Sequence, residues 1–218
     1  MNEQMQKFFQ ENGYVVIKNF LDPNTSLLLN RYCKTVVQSV DFKSTYFPEL
    51  HHAKWDGTFG DVQIPGMTFH RYGDPMFDTL LELSTNAMES YTGLQLNPNY
   101  AYWRWYQKGD VLKRHSDRDS CEISTTLCLG YDVSDVDSNI HPDYNWELWI
   151  ADKQGNEIPI HMNPGDMVVY KGCVLDHWRN EFPGKWHNQV FMHYSDKNGP
   201  FNVKYDGRPF LGIPLKND

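Results

Sequence analysis

The second half of the chain is a run of short segments that each have the composition of a β-strand. Turn-forming residues such as Gly109, Pro164-Gly165 and Pro183-Gly184 separate these segments, and no helical pattern lies between them. Parallel strands need helical crossovers, so this arrangement excludes a parallel α/β sheet and predicts a double-sheet jelly roll. The predicted strands lie near residues 99–107, 111–117, 122–131, 145–152, 157–162, 167–171, 174–179 and 186–195.

Two helices are predicted before this region, and each begins at an Asp-Pro pair. Asp22 and Asp74 are the predicted N-caps, because an aspartate accepts hydrogen bonds from the free amides of a first turn. Proline then suits the first helical position. We expect the first helix to run to about Val37 and the second to end at Gly93, where glycine permits a left-handed C-cap.

The remaining segments complete a single predicted domain. Residues 13–21 are β-branched and apolar and form an expected first strand, whereas residues 42–73 have no regular pattern. A chain of 218 residues without repeats or linkers has the length for one core. We therefore predict a mainly β (α+β) fold, a double-stranded β-helix (jelly roll) with N-terminal helices packed on one sheet. Its parts are residues 1–98 with the first strand and helices, the jelly-roll core 99–196 and the C-terminal tail 197–218.

Composition limits the classes of function. The formal net charge is −8, from 20 Lys and Arg against 28 Asp and Glu, so the chain as a whole should repel nucleic acid. No stretch approaches the ~20 apolar residues of a membrane span, and we see no secretory signal. The four cysteines form no CxxC pair, which favours reduced thiols in a cytoplasmic protein. We expect neither a nucleic-acid nor a membrane partner.

Two histidines and an aspartate are the candidate metal ligands. His115 and Asp117 are two residues apart at the end of a predicted strand, so their side chains share a face. His177 follows on a later strand, after the turn at residues 163–166. Two imidazoles and one carboxylate form the facial triad of non-haem Fe(II) enzymes. Less suitable histidines lie before a turn, in a polar loop or ahead of the barrel: His161, His141, His51, His52 and His70.

In order and spacing, three segments resemble the iron(II)- and 2-oxoglutarate-dependent dioxygenases, closest in layout to the prolyl 4-hydroxylase branch. Residues 9–21 resemble the first strand of that family, and residues 106–117 resemble its segment with a tyrosine, a glycine and an HxD motif. Residues 163–177 resemble the block that carries the distal histidine. The resemblance covers roughly residues 9–195, most of the chain.

The resemblance implies both a reaction and its cofactors. His115, Asp117 and His177 would leave open positions on Fe(II) for the keto-acid end of 2-oxoglutarate and for O2. Decarboxylation would release succinate and CO2, with hydroxylation of an unactivated C–H bond of a peptide residue such as proline, or of a small polar metabolite. Related halogenases have a small residue in place of the carboxylate, so Asp117 favours hydroxylation. Residues 42–73 are the candidate lid over such a site.

The residues that would hold 2-oxoglutarate are less closely defined. Tyr106 matches the family's co-substrate tyrosine in spacing, but His187 stands about ten residues after the distal histidine, where the family usually has Lys or Arg. The far carboxylate of 2-oxoglutarate needs a cation or strong donors. Arg104, Arg179 and Lys185 are the candidate cations, with His187 as a further candidate donor.

Three alternatives stay open at this point. A cupin-like metal enzyme that does not use 2-oxoglutarate would keep the triad, and the absence of Lys or Arg at the last-strand position favours it. A metal-free carbohydrate-binding module would use the 7 Trp, 13 Tyr and 12 Phe for stacking on sugars. A nucleic-acid repair dioxygenase is disfavoured by the charge. The sequence predicts no oligomeric state.

Overall fold

The computed structural model describes residues 2–137 and 146–215, and within them eleven strands form two antiparallel sheets. In chain order they are β1 (Tyr14–Ile17), β2 (Thr58–Phe59), β3 (Phe69–Tyr72), β4 (Leu96–Gln107), β5 (Leu112–His115), β6 (Ile123–Asp132), β7 (Leu148–Ala151), β8 (Glu157–Ile160), β9 (Met167–Tyr170), β10 (His177–Arg179) and β11 (Trp186–Asp196). The larger sheet has the order β1-β9-β6-β11-β4-β3-β2, and the smaller has β5-β10-β7-β8. The predicted jelly roll is therefore confirmed, and each of the eight predicted strands is present.

In the described part of the chain, four α-helices accompany the sheets, and three of them precede β3. They are α1 (Asn2–Asn12), α2 (Pro23–Tyr46), α3 (Ala53–Asp56) and α4 (Pro75–Thr92). Both predicted caps form: Asp22 accepts hydrogen bonds from the amides of Asn24 and Thr25, and Asp74 accepts one from Met76. Among the described residues, none of the helices combines the length and apolar character that a membrane crossing requires.

The predicted end of α2 at Val37 is wrong, because the helix continues to Tyr46. Leu29, Cys33 and Val40 are all buried on one face, so the apolar stripe that holds the helix on the sheet extends past Val37. The chain has no helix breaker there until Pro48.

The prediction that residues 42–73 are irregular is also wrong in part. They include the end of α2, the short helix α3, and the strands β2 and β3. β3 pairs with β4, with Phe69 opposite Trp105, and the buried Phe69 ring packs 4.9 Å from the ring of Trp103. The pairing depends on a partner that is distant in sequence, so local patterns do not reveal it.

The helices cover the outer face of the larger sheet, as predicted. Alternate residues of β4 and β11 point toward them, including the buried Trp103, Val190 and Met192. Phe77 and Leu81 of α4 belong to the same cluster. The other face of these strands points toward the smaller sheet, so the inner surface of the jelly roll is available for polar and functional side chains.

The C-terminal tail is fastened to the helical layer by one buried arginine. Arg208 forms an ion pair with Asp78 of α4, with 2.9 Å between its Nη1 and Oδ2, and both side chains are 1% exposed. The same guanidinium donates to the carbonyls of Asn99 and Ile213. The tail residues that follow, Pro214 and Leu215, reach the inner cavity described below.

We expect Arg208→Met to lower the free energy of unfolding by about 3–5 kcal/mol, because it leaves the Asp78 carboxylate buried without its partner. Chemical denaturation followed by circular dichroism measures this difference. Arg31→Met is the matched control, since Arg31 is exposed on α2 and its replacement should change stability by about 0.5 kcal/mol at most. A loss below about 1 kcal/mol for Arg208→Met would contradict the assignment.

Candidate metal centre and inner cavity

The antiparallel pairing of β5 and β10 brings the three candidate metal ligands together. His177 lies directly opposite His115 in this pairing. Asp117 follows β5, and its amide donates to the carbonyl of Gly172 at 2.9 Å. The Oδ1 atom of Asp117 lies 3.7 Å from His115 Nε2 and 3.5 Å from His177 Nε2. All three candidate ligand atoms lie within 4.8 Å of one another.

Backbone hydrogen bonds orient both imidazoles. Nδ1 of His115 lies 2.8 Å from the carbonyl of Lys113, and Nδ1 of His177 lies 3.0 Å from the carbonyl of Leu175. Because a carbonyl only accepts, each Nδ1 carries the proton and each Nε2 keeps its lone pair. Burial and the neighbouring His177 lower the pKa of His115. Burial therefore favours the neutral form of His115, which is the form that binds metal.

Asp117 supplies the negative charge of the group. Burial acts to raise the pKa of its carboxyl, but the donors around the carboxylate, the Ser124 hydroxyl among them, hold this pKa below the usual range. Its Oδ2 atom accepts a hydrogen bond of 2.7 Å from Ser124 Oγ, while Oδ1 faces the histidines. Two imidazole nitrogens and one carboxylate oxygen converging on one point suit Fe(II) or a similar divalent ion.

A cavity of about 850 Å³ opens from this group toward solvent. The rings of His70, Tyr72, Tyr100, Tyr102 and Phe191 form much of its lining. Pro214 and Leu215 of the C-terminal tail line it as well, as do residues 61–63 of the segment between β2 and β3. The predicted lid segment and the tail thus both contribute walls to one chamber.

Arg104, one of the candidate co-substrate cations, is buried in the wall of this cavity but already has an anionic partner. Its Nε lies 2.6 Å from Asp61 Oδ2 and its Nη2 lies 3.1 Å from Asp61 Oδ1. Gln63 accepts from the same Nη2, and Tyr102 donates its hydroxyl hydrogen to Asp61. Sequence reasoning missed Asp61, since nothing in an apparently irregular segment indicates a partner 43 residues away.

Lys185, the second candidate cation, lies on the surface, and the structure does not bring it to the cavity. Its side chain is 49% exposed, and its Nζ lies 3.4 Å from Asp135 Oδ1. It also donates to the hydroxyl of Ser134 at 2.8 Å. The strand β11 starts at Trp186, so Lys185 belongs to the preceding turn and not to the inward-facing row of the strand.

Arg179, the third candidate, is the next inward-facing residue of β10 after His177. It is 1% exposed, and its guanidinium lies 4.6 Å from the Trp146 ring and donates through Nη1 to the Trp146 carbonyl. Its Nε and Nη2 atoms have no hydrogen-bond partner among the described residues. Burial lowers the pKa of this arginine, and the nearby Tyr106 opposes that effect.

Tyr106 and His187 border the same interior region. Tyr106 is fully buried on β4, directly opposite His187 in the pairing with β11. His187 stacks on Tyr131 at 5.3 Å and contacts Trp146. Gln189, two residues further along β11, is fully buried, and its amide oxygen and nitrogen lack partners within the described part of the chain. Buried polar groups are seldom left unpaired, so this interior fits a polar ligand.

Two further residues lie next to Asp117, on the side away from the histidine ligands, and no pattern in the sequence predicted their position. Ser124 of β6 and His193 of β11 lie 2.9 Å apart, from Oγ to Nδ1. Asp117, Cys121 and His193 also lie within 4.8 Å of one another, but Cys121 shares a hydrogen bond with Tyr100 and His193 with Ser124. Of the competing histidines, His161 is exposed and His141 lies outside the described residues.

No family model matches this chain, and no curated protein matches it. Solved structures do. A prolyl-4-hydroxylase from Pseudomonas putida is 16% identical with a TM-score of 0.60, over 90% of this chain and 99% of that one. A prolyl hydroxylase from Trichoplax adhaerens, in complex with a hypoxia inducible factor peptide, is 15% identical with a TM-score of 0.61, over 90% and 89%.

A third similar structure is the epimerase SnoN in complex with Fe3+, alpha ketoglutarate and nogalamycin RO. It is 11% identical with a TM-score of 0.64, over 100% of this chain and 96% of that one. At sequence identities this low, the similarity establishes the fold alone. The alignments extend over nearly the whole length of each protein. The chain therefore has the double-stranded β-helix fold of the 2-oxoglutarate- and Fe(II)-dependent oxygenases.

Proposed function

We propose that this protein is a non-haem Fe(II)- and 2-oxoglutarate-dependent dioxygenase that hydroxylates an unactivated C–H bond of a small molecule and releases succinate and CO2. The observation that carries the proposal is that β10 bears both a candidate metal ligand and a buried arginine. His177 of β10 meets His115 and Asp117, and Arg179, two residues further on, holds open N–H groups in the interior. A metal-binding end and an anion-binding end are thus side by side.

The metal would be held by His115 Nε2, His177 Nε2 and Asp117 Oδ1. Fe(II), when bound, supplies the positions at which the keto acid and O2 bind and react. The chain contributes the orientation of both imidazoles through the carbonyls of Lys113 and Leu175. This converging donor set also argues against a metal-free carbohydrate-binding module.

Arg179 is the candidate that best fits the far carboxylate of 2-oxoglutarate. Arg104 already forms a two-point ion pair with Asp61, and Lys185 is on the surface. A two-residue step along a strand spans roughly 7 Å, which suits a five-carbon dicarboxylate that extends inward from the metal. A guanidinium with open N–H groups can bind a carboxylate through two hydrogen bonds. Tyr106 is the proposed neutral donor beside it.

In this proposal the cation sits on β10, whereas the related enzymes usually carry it on the last strand. His187 occupies that usual position, opposite Tyr106. His187 packs against Tyr131 and Trp146, and Trp146 in turn lies against the Arg179 guanidinium. The open N–H groups of Arg179 favour a 2-oxoglutarate enzyme over a cupin-like enzyme that uses the metal alone.

The shape of the cavity favours a small molecule over a peptide as prime substrate. A volume of about 850 Å³ is within the range of small-ligand sites, ~300–1,000 Å³. Residues 61–63 and the C-terminal tail both contribute walls to the chamber, and a long peptide would need an open groove. Much of the lining is aromatic, which suits the body of a compact organic molecule.

The proposal is tested by anaerobic addition of 2-oxoglutarate to Fe(II)-loaded protein, followed by admission of O2 and assay of succinate. We expect the visible charge-transfer band of an Fe(II)-keto acid complex and then stoichiometric succinate. A screen of small metabolites and of proline-containing peptides identifies the class that stimulates succinate release. Fe(II) binding without this band and without succinate would favour the cupin-like alternative.

Replacement of His115, Asp117 or His177 by alanine should abolish tight divalent-metal binding, since each removes one of three ligands. Isothermal titration with Mn2+ measures the loss, and circular dichroism checks that the fold persists. His161→Ala is the matched control, because His161 is exposed and lies outside the group. Unchanged Mn2+ affinity in His177→Ala would show that the distal ligand is assigned wrongly.

Arg179→Met should weaken 2-oxoglutarate binding about ten- to hundredfold, the effect of losing a charge-assisted pair of about 1.5–3 kcal/mol. Anaerobic titration of Fe(II)-loaded protein measures the affinity. Lys185→Met is the matched control and should bind 2-oxoglutarate like the wild type, because Lys185 is exposed. Equal weakening by both substitutions, or by neither, would contradict the role of Arg179.

Asp61→Asn should raise the succinate formed in the absence of prime substrate several-fold, because it loosens the candidate lid from Arg104 and admits water. The assay is succinate release from Fe(II)-loaded protein without substrate. Asp56→Asn is the control within the same segment, since Asp56 pairs with Lys43 of α2 at 3.0 Å and accepts from the amide of His52. Unchanged uncoupled turnover in Asp61→Asn would mean that the segment serves only packing.

A further inference from the structure

The two oxygens of Asp117 have different environments. Oδ1 faces the imidazoles of His115 and His177, whereas Oδ2 accepts the 2.7 Å hydrogen bond from Ser124 Oγ. Ser124 is fully buried, and its Oγ also lies 2.9 Å from His193 Nδ1. The carboxylate is therefore held on one side by the candidate metal ligands and on the other by a buried hydroxyl.

The hydrogen atoms in this chain of contacts can be assigned from chemistry. The ionised carboxylate of Asp117 and the carbonyl of Cys121 both only accept, and Ser124 Oγ lies 2.7 Å from the former and 3.1 Å from the latter. We assign its single hydroxyl hydrogen to the shorter contact, with Asp117 Oδ2. Ser124 Oγ can then only accept from the imidazole, so His193 must donate through Nδ1–H. The direction of donation runs from His193 to Ser124 to Asp117 Oδ2.

The surrounding backbone leaves the carboxylate little room to turn. A Cβ atom at Gly172 would lie 2.5 Å from Asp117 Oδ2 and 2.5 Å from Ser124 Oγ, so only glycine fits at this position. The amide of Asp117 donates to the carbonyl of the same Gly172. The ring of His193 is in turn packed 4.5 Å from the ring of Tyr100. Each member of the series is thus held by a buried neighbour.

We propose that Ser124 and His193 are positioning residues that keep Oδ2 of Asp117 away from the metal, so that Asp117 binds through Oδ1 alone. This inference rests on the proposed function. A carboxylate that bound through both oxygens would occupy a further coordination position, one that 2-oxoglutarate or O2 needs. The Ser124 hydroxyl thereby determines how many positions stay open, without itself contacting the metal.

The test compares Ser124→Ala with Ser195→Ala in Co2+-substituted protein. Ser195 is an equally buried serine, on β11, whose hydroxyl donates to the carbonyl of Val203 away from the centre. We expect Ser124→Ala to retain Co2+ but with an altered visible d–d spectrum, because Oδ2 becomes free to bind the ion. We also expect its affinity for 2-oxoglutarate to fall about ten- to hundredfold. Ser195→Ala should match the wild type in both measurements.

A second pair of variants tests His193. Asparagine carries an N–H donor at the same distance along the side chain as Nδ1, so His193→Asn should keep the wild-type Co2+ spectrum. His193→Leu removes the donor and should give a spectrum shifted in the same sense as that of Ser124→Ala. Thermal unfolding monitored by circular dichroism checks that each variant is folded.

Wild-type spectra in both Ser124→Ala and His193→Leu would overturn the inference. A wild-type protein that binds Co2+ but not 2-oxoglutarate would contradict the proposed function instead, and the Co2+ spectra would still decide the role of Ser124. A wild-type protein that binds no Co2+ would overturn both.

Discussion

The pairing between β5 and β10 is the interaction on which the rest of the site depends. It sets His177 opposite His115 and Arg179 opposite Leu112, with an irregularity of register between the two pairs. A slip of one residue in this register would turn His177 and Arg179 outward and replace them with Trp178. The metal-binding and anion-binding ends of the proposed site are therefore determined together, by the hydrogen bonds of two short strands.

The two long strands β4 and β11 present apolar side chains on one face of the larger sheet and polar, functional side chains on the other. On β4, Trp103 and Trp105 belong to the core beneath the helices, while Arg104 and Tyr106 point into the jelly roll. The alternation of side chains in a strand makes this division possible over one short stretch of sequence. Burial of the indoles stabilises the sheet that holds the polar residues in place.

The features that could be predicted from sequence are those encoded locally. The spacing of His115 and Asp117, the turns between strands and the Asp-Pro pairs at residues 22–23 and 74–75 depend on neighbours in the chain. The choice among Arg104, Arg179 and Lys185 could not be made this way. It depends on Asp61, which neutralises Arg104 from a distant segment, and on burial, which sequence does not report. The proposed role of Ser124 could not be predicted from sequence for the same reason.

The open N–H groups of Arg179 have a thermodynamic consequence for the protein as a whole. Two guanidinium nitrogens of this buried cation lack partners within residues 2–137 and 146–215, and an unpaired buried charge would make the fold less stable than its packing alone would allow. A dicarboxylate that completes those bonds would bind the folded chain and not the unfolded one, and at a hundred times its dissociation constant it would add about 2.7 kcal/mol to stability. The lifetime of the protein would then follow the concentration of its own co-substrate.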